Sequence, residues 1–189
     1  SLNKAQKINS KNSEIYFAKS DIYLKILQRE KAKTNLEKGL KITPNNHRAN
    51  FQLGNIFLME KDYSEAIKLF DKSVMIKPDF WQAINNKGLA YFEKNNINKS
   101  IELFEKAISI DENAEPLLGL ASCLRVKNIN LALQLAKRAL AKDPNYVNYD
   151  YRKEQLWGEN LQTSTEILLQ NDQLKVDVVL AKSKINASY

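Results

Sequence analysis

HRANFQLGNIFLMEKDYSEAIKLFDKSVMIKPDF, residues 47–80, decides the fold of this 189-residue chain because its spacing is repeated on both sides. Residues of the same kind lie 34 positions apart: Pro44 and Pro78, Gly54 and Gly88, Phe57 and Tyr91, Phe70 and Phe104. A fixed period of this length is typical of stacked helical hairpins. We therefore predict that residues 47–80 form one helix–turn–helix unit of a repeat array.

The same unit can be placed four times along the chain, in residues 13–46, 47–80, 81–113 and 114–146. The eighth, twentieth and twenty-seventh positions are small in every repeat. They are Ser20, Gly54, Gly88 and Ala121; Ala32, Ala66, Ser100 and Ala132; and Gly39, Ser73, Ala107 and Ala139. Two antiparallel helices approach closely only where their crossing points carry almost no side chain. The pattern therefore predicts an all-α fold of antiparallel hairpins.

The ends of the helices carry their own signals. Pro44, Pro78 and Pro144 follow the second helices, which proline cannot continue, while Glu112 replaces proline in the third repeat. In the turn EKDYSE of the second repeat, Ser64 is expected to cap the helix that follows.

These columns resemble the tetratricopeptide repeat (TPR), a family that binds peptides and proteins. The resemblance implies a right-handed superhelical solenoid whose first helices line a concave groove, with ligand-facing residues at fixed positions of each repeat. Carried over to this chain, those positions predict a peptide-binding groove formed by Arg48, Phe51, Gln52, Asn55, Met59, Gln82, Asn85, Asn86, Leu89, Phe92 and Arg125. Further positions implied in the same way are Glu14, Phe17, Asp21, Leu24 and Lys25 of the first repeat, Leu58, Glu93, Leu118, Ser122 and Val126.

This predicted lining combines side-chain amides with apolar groups. An amide carries both a donor and an acceptor, so Gln52 or Asn86 can hold the backbone of an extended peptide, while Phe51 and Met59 offer contact to its side chains. The alternative is that Phe51 and Leu58 pack between repeats and that the asparagines reflect composition. The lysine and asparagine with which TPR chaperone adaptors hold a C-terminal carboxylate are replaced here, since Phe17 and Asp21 occupy their positions.

The period stops after Pro144. Residues 147–189 show two helical patterns, and we expect capping helices, because a solenoid exposes the apolar face of its last repeat. The alternative is a partner surface formed by the aromatic residues Tyr146, Tyr149, Tyr151 and Trp157. The segment YRKEQLWGENL resembles the tails of TPR proteins from cyanobacteria and plastids.

The net charge of +7 is concentrated in the N-terminal part of the chain. Residues 1–44 carry most of this excess, and residues 1–12 form a polar arm without an apolar stripe. Nucleic-acid association through this basic part is the runner-up to protein binding, although the arm has no aromatic residue to stack on bases. Self-association through uncovered repeat ends is a third alternative.

The sequence contains no run of eighteen apolar residues, so we expect no transmembrane segment. Residues 1–14 lack the apolar block of a secretory signal. Whether a targeting segment was removed before Ser1 stays open. The sequence leaves the compartment unknown; a cytoplasmic location is favoured, with plastid or thylakoid association as the alternative.

The residues needed for catalysis do not cluster in this sequence. The one histidine is His47, the one cysteine is Cys123 within an apolar stretch, and the five glycines are isolated from one another. The sequence therefore gives little support for a phosphate-binding loop, a cysteine zinc site or a Cys–His pair. We expect no catalytic, cofactor-binding or metal site.

Overall fold

The computed structural model describes residues 12–187, so the predicted N-terminal arm lies outside the described residues apart from Asn12. The α-helices, labelled in chain order, are α1 (Ser13–Lys25), α2 (Arg29–Ile42), α3 (His47–Met59), α4 (Tyr63–Ile76), α5 (Trp81–Glu93), α6 (Ile97–Ile110), α7 (Ala114–Leu124), α8 (Ile129–Lys142), α9 (Tyr149–Glu154), α10 (Glu159–Leu169) and α11 (Lys175–Asn186). Short 3-10 helices occupy Pro144–Val147 and Asp172–Leu174. Residues 12–187 contain no β-strand, and the predicted all-α class is confirmed.

The helices divide into two compact units. The N-terminal unit runs to Ala83 and contains α1 to α4, while the C-terminal unit begins at Ile84 within α5 and contains α6 to α11. In the N-terminal unit α1 packs on α2, α2 on α3, and α3 on α4. In the C-terminal unit α6 packs on α7, and α7 packs on α8. Consecutive helices therefore form the antiparallel hairpins that the repeat predicts.

Small residues let the helices of each hairpin meet, as the repeat columns require. A Cβ atom built on Gly54 of α3 would lie 2.6 Å from Cε1 of Phe70, which is fully buried on α4. In the C-terminal unit the same relation holds between Gly88 and Phe104, at 3.0 Å. Such distances exclude a larger side chain at either glycine unless the phenyl ring moves. The recurring glycine and phenylalanine are thus the two sides of one contact.

The turns inside the first three hairpins share a residue with left-handed backbone. Leu27 has φ 58°, Lys61 has φ 62° and Asn95 has φ 59°, and these positions are again 34 residues apart. In the fourth repeat none of the residues between α7 and α8 has positive φ. This difference follows the shorter turn of that repeat, VKNINLA, and it marks the fourth hairpin as a variant of the first three.

Asparagine and aspartate begin most of the helices. Their side-chain oxygens accept a hydrogen bond from a backbone N–H group of the first turn at Asn12, Asn46, Asp62, Asn96 and Asn128. The expected cap at Ser64 is wrong, because α4 begins at Tyr63 and Asp62 accepts from the N–H of Glu65 at 3.1 Å. An aspartate stabilises a helix start by its charge as well as by its hydrogen bond.

The residues after Pro144 form three helices with different neighbours. The last helix, α11, packs on α8 and on the 3-10 helix Pro144–Val147, whereas α10 packs on α7. Arg152 of α9 is fully buried. Its guanidinium donates to Oε1 of Gln162 at 2.8 Å and to the carbonyl oxygen of Tyr146 at 2.7 Å, and it pairs with the carboxylate of Glu166. This network joins α9 to α10, so the segment packs as part of the C-terminal unit.

No helix within residues 12–187 combines the length and the apolar character that crossing a membrane requires.

Candidate functional site

An open cleft lies between the first helices of the first two repeats, α1 and α3. We call it the N-terminal cleft and define it by Glu14, Phe17, Asp21, Arg48 and Gln52, around a volume of about 450 Å³. All five occupy positions that the family resemblance implies for ligand contact. Phe17 is buried and forms the base, while Glu14, Asp21 and Arg48 are exposed along the sides. The cleft is therefore a polar channel with an aromatic base.

One hydrogen bond crosses the N-terminal cleft. The amide nitrogen Nε2 of Gln52 donates to Oδ1 of Asp21 at 2.7 Å, which joins α3 to α1. The carbonyl oxygen of Gln52 can still accept from a ligand, and Arg48 is exposed beside it. The cleft thus offers carboxylate oxygens, an amide and a guanidinium within one short stretch.

The other predicted groove residues of the N-terminal unit are partly buried. Phe51 packs against Phe70 and Phe80, with ring centroids 6.0 and 5.0 Å away. Met59 packs against the buried core around Leu36 and Leu53. Asn55 and Gln82 are partly buried as well. Phe51 therefore contributes to packing within the unit.

The predicted groove residues of the C-terminal unit are covered to a greater degree. Asn85 and Leu89 are fully buried, Asn86 and Phe92 are 7% exposed, and Arg125 is partly buried. The helix that lies against this part of the unit is α10, which packs on α7. Of these five residues, Arg125 contacts the C-terminal segment through Ser164, while the Asn85 amide donates to Oδ1 of Asn86 on its own helix.

Polar contacts fix α10 on the first helix of the fourth repeat. The hydroxyl groups of Ser122 and Thr165 lie 2.7 Å apart, and Ser164 donates to the carbonyl oxygen of Ser122 at 2.9 Å. Nε of Arg125 donates to Oγ of Ser164 at 3.1 Å. Each of these α10 residues is buried. A contact between hydroxyl groups that are both buried specifies one position of α10 along α7.

The N-terminus of α10 is capped by a residue of α5. The Glu93 carboxylate accepts from the backbone N–H groups of Asn160 at 3.2 Å and Leu161 at 3.0 Å. A Cβ atom on Gly158 would lie 2.2 Å from Cδ of Glu93, so glycine leaves room for the carboxylate. The sequence contains one signal of this contact. Gly158 has no side chain to cap the helix that follows it, so the acceptor must come from another part of the chain.

The predicted aromatic partner surface is mostly an internal cluster. Trp157 and Tyr146 are 4% and 6% exposed, with ring centroids 6.1 Å apart, and Tyr149 remains exposed. Nε1 of Trp157 donates to Oε1 of Glu115 at 3.2 Å. Burial raises the pKa of the Glu115 carboxyl to about 7, although hydrogen bonds from Trp157, Asn85 and Tyr146 oppose the rise. The cluster therefore holds a carboxyl that titrates near neutral pH.

Sequence reasoning did not identify a second open depression of the N-terminal unit. It lies between the second helices α2 and α4, has a volume of about 500 Å³, and is lined on its apolar side by Leu40, Phe57, Leu69 and Met75. Met75 is 81% exposed. The lining is more apolar than that of the N-terminal cleft, and none of these residues belongs to the predicted groove.

Cys123 and His47, the one cysteine and the one histidine of the sequence, each pack within their own unit. Burial raises the pKa of the Cys123 thiol to about 12, and its Sγ lies 3.6 Å from Oγ of Ser100. His47 packs edge-on against Phe80, with ring centroids 5.2 Å apart. Across residues 12–187, groups of three or more histidine, cysteine, aspartate or glutamate side chains suited to a metal ion are absent.

Known structures share this arrangement of helices. The chain is similar to MamA, with 22% identity over 82% of this chain and 87% of that one, and a TM-score of 0.69. It is also similar to YrrB, with 16% identity over 97% and 98% of the two chains and a TM-score of 0.68. PilF of Pseudomonas aeruginosa matches at 18% identity over 100% of this chain and 81% of its own, with a TM-score of 0.68.

Family models match the repeats directly. Two models described as tetratricopeptide repeat cover residues 17–79 and 81–114, which together are more than half of the chain. A comparison with curated proteins found no match in sequence. The matched residues contain the glycine, alanine and phenylalanine columns that bring the hairpin helices together. The chain therefore belongs to the tetratricopeptide repeat family.

Proposed function

We propose that this protein is a non-enzymatic interaction scaffold that binds a peptide segment of a protein partner along the predicted concave groove, beginning in the N-terminal cleft. The observation that carries the proposal is the convergence of Phe17, Asp21, Arg48 and Gln52 on one open cleft. These residues come from equivalent helices of two successive repeats. In the C-terminal unit the corresponding residues Asn85, Asn86 and Leu89 are buried, which favours the N-terminal cleft as the place of entry.

The chemistry of the N-terminal cleft suits an extended peptide. The free acceptor of Gln52 can take a backbone N–H group, and the guanidinium of Arg48 can donate to a backbone carbonyl or a carboxylate. Phe17 provides a small apolar base for one side chain. Among the similar structures, YrrB is described as a TPR protein with an unusual peptide-binding site. That description supports peptide binding as a property this architecture can carry.

The non-enzymatic part of the proposal rests on the state of the reactive side chains. A thiol whose pKa is about 12 is protonated at neutral pH, and the thiolate is the nucleophilic form. The carboxyl with the raised pKa, Glu115, bonds to Trp157 inside the C-terminal unit, away from any open cleft described here. The thiol of Cys123 is 5% exposed, and the Glu115 carboxyl is engaged by Trp157.

A displayed peptide library tests the proposal. Peptides would be selected from a random library on the full chain, and the affinity of the best ones measured by titration calorimetry. We expect the double variant Arg48→Ala/Gln52→Ala to weaken binding by about tenfold or more, a loss of roughly 1.4 kcal/mol. Both side chains are solvent-accessible enough that folding should be preserved, which circular dichroism checks.

The matched control is Lys72→Ala/Met75→Ala in the depression between α2 and α4. It removes one cation and one large side chain from exposed positions of the same unit, and it should leave the affinity within about twofold. Loss of binding with this control and not with the cleft variant would move the site to the second helices. Failure to select any peptide would contradict peptide binding itself.

A further inference from the structure

A second cleft lies in the C-terminal unit, beside α10. We call it the C-terminal cleft and define it by Phe92, Asn95, Arg125, Lys127, Asn160 and Thr163, around a volume of about 670 Å³. Its sides are the end of α5 with the following turn, the end of α7, and the outer face of α10. Of these six residues, Phe92 and Arg125 belong to the groove predicted from the sequence; Ser122 and Val126, which also line the cleft, occupy further positions that the family resemblance implies.

The base of the C-terminal cleft is apolar. Phe92 and Cys123 are buried beneath it, at 7% and 5% exposed, and Ile97 contributes a partly buried side chain. Val126 stands at its edge and is 79% exposed. A valine left in water beside an open apolar base is a surface on which another apolar side chain would be favourably buried.

The charged residues of this lining are both cations. Nε of Arg125 donates to Oγ of Ser164, and Nζ of Lys127 donates to Oδ1 of Asn98 at 2.6 Å. Both acceptors are neutral, and no carboxylate stands among the described residues of the lining. The two positive charges are therefore not balanced by an ion pair within the described part of the chain.

The orientation of Arg125 is fixed by a hydrogen bond to the buried hydroxyl of Ser164 on α10. Ser164 accepts from Nε of Arg125 and donates in turn to the carbonyl oxygen of Ser122, so the hydroxyl is held by two bonds. This leaves both terminal nitrogens of the guanidinium without a described partner. A guanidinium held at Nε presents its terminal N–H groups in a fixed plane, which suits a carboxylate.

We propose that the C-terminal cleft binds an acidic peptide segment, in which a carboxylate pairs with Arg125 and Lys127 and a neighbouring apolar side chain lies against Phe92 and Val126. Charge complementarity selects this occupant, since two cations border an apolar base. A nucleic acid is less suited, because the described lining offers no exposed aromatic face on which a base could stack. The donors of Asn160 and Thr163 bond to carbonyl oxygens of Glu93 and Glu159, and their side-chain oxygens can still accept from a peptide N–H group.

The proposal extends the proposed peptide binding to a separate cleft and does not depend on the N-terminal one. The variant Arg48→Ala/Gln52→Ala should leave binding here unchanged. If this cleft fails to bind while the N-terminal cleft retains its selected peptide, the present inference falls and the proposed function stands.

The test uses the full chain and three fluorescein-labelled peptides. The probe is Gly-Ser-Asp-Leu-Glu-Leu-Gly-Ser; its first comparison has Asn and Gln in place of Asp and Glu, and its second has Gly in place of both Leu residues. Fluorescence anisotropy at fixed ionic strength gives the affinities. We expect the probe to bind at least about tenfold more tightly than either comparison peptide. Equal affinity for the neutral peptide would overturn the proposal.

Variants locate the binding. Arg125→Gln/Lys127→Gln should weaken binding of the probe by about tenfold or more. The control Arg138→Gln/Lys142→Gln removes the same charge from α8, where both cations pair with Glu112, and should change affinity less than about twofold. An equal loss in both would show attraction to net charge alone and would overturn the proposal.

Val126→Asp provides a second variant that does not touch the contacts of Arg125 with α10. Because Val126 is exposed, the substitution should preserve the fold while placing a carboxylate at the edge of the cleft. Binding of the acidic probe should again be weakened by about tenfold. Tighter binding of a twelve-nucleotide single-stranded DNA than of the probe, lost in the same variants, would assign the cleft to nucleic acid and overturn the peptide assignment.

Discussion

The carboxylate of Glu93 accepts a hydrogen bond of 3.0 Å from the backbone N–H of Leu161, 68 residues further along the chain. It thereby caps a helix whose own N-cap residue, Gly158, has no side chain to do so. Glu93→Ala leaves the first N–H groups of α10 without this acceptor. We expect a loss of about 1–2 kcal/mol in the free energy of unfolding, measured by urea titration.

Glu105→Ala is the matched control, since Glu105 is exposed on α6 and should change stability by less than about 0.5 kcal/mol. Hydrogen exchange separates a local effect from a global one. In Glu93→Ala the amides of Asn160 and Leu161 should exchange faster, while those in the centre of α8 lose less protection. Unchanged exchange at both amides would show that Glu93 does not hold α10.

The contact between Gly54 and Phe70 predicts a second result. Gly54→Ala gains about 1 kcal/mol in helix propensity, but its Cβ would lie 2.6 Å from Cε1 of a fully buried phenyl ring. We expect the steric term to dominate, with a net loss of about 1–3 kcal/mol in the free energy of unfolding.

A double-mutant cycle checks the cause of that loss. Phe70→Leu removes the ring atoms nearest to Gly54, so the double variant Gly54→Ala/Phe70→Leu should be more stable than the two single losses predict, by at least about 1 kcal/mol. Additive losses would show that the two residues do not limit each other. Thermal unfolding followed by circular dichroism gives all four values.

The repeat architecture could be predicted from sequence because each hairpin is specified locally. The positions of Gly54, Phe70 and their equivalents predict which helices meet and how closely. Because the period is fixed, the same prediction applies to each successive hairpin. Helix starts were predicted less well, since Asp62 and Ser64 are both able to cap and the choice depends on the turn geometry before Tyr63.

The placement of α10 on α7 could not be predicted in this way. This helix does not follow the period of the repeats, and its position is set by the contacts of Glu93 with Leu161 and of Ser122 with Thr165. Single pairs between distant residues leave no period in the sequence. The N-terminal cleft was accessible to prediction because Asp21 and Gln52 occupy repeat positions, whereas Lys127 and Asn160 of the C-terminal cleft do not.

The left-handed turn residue of the first repeat predicts a stabilising substitution. Leu27 has φ 58° and is 90% exposed, so its side chain gains little from packing while its backbone is unfavourable. Asparagine tolerates this backbone better and occupies the equivalent position at Asn95. We expect Leu27→Asn to raise the free energy of unfolding by roughly 0.5–1 kcal/mol.

The control for Leu27→Asn is Ile26→Asn at the preceding residue, which has φ −99° and is also exposed. That change relieves no backbone strain and should not increase stability. Equal gains in the two variants would attribute the effect to removing an exposed apolar side chain. Chemical denaturation with a fixed m-value distinguishes the two results.

The Glu115 carboxyl beside Trp157 makes stability depend on pH in a direction unusual for a carboxyl group. Its pKa is raised from 4.5 to about 7 by burial. Between these values the folded chain holds a proton that the unfolded chain has released. The resulting stabilisation is complete below about pH 4.5 and is lost as the pH rises through about 7. We therefore expect the free energy of unfolding contributed by this group to fall between pH 5 and pH 8.

Glu115→Gln tests this dependence because the amide is neutral at every pH and its oxygen can still accept from Nε1 of Trp157. Stability of the variant relative to the native chain should rise by about 1–2 kcal/mol from pH 5 to pH 8, a value reduced for partial exposure. For Glu112→Gln the relative stability should stay level over this range, since Lys142 and Arg138 lower the pKa of Glu112 despite the opposing effect of burial. A level difference for Glu115→Gln as well would show that this carboxyl is ionised throughout and that Trp157 bonds to a carboxylate.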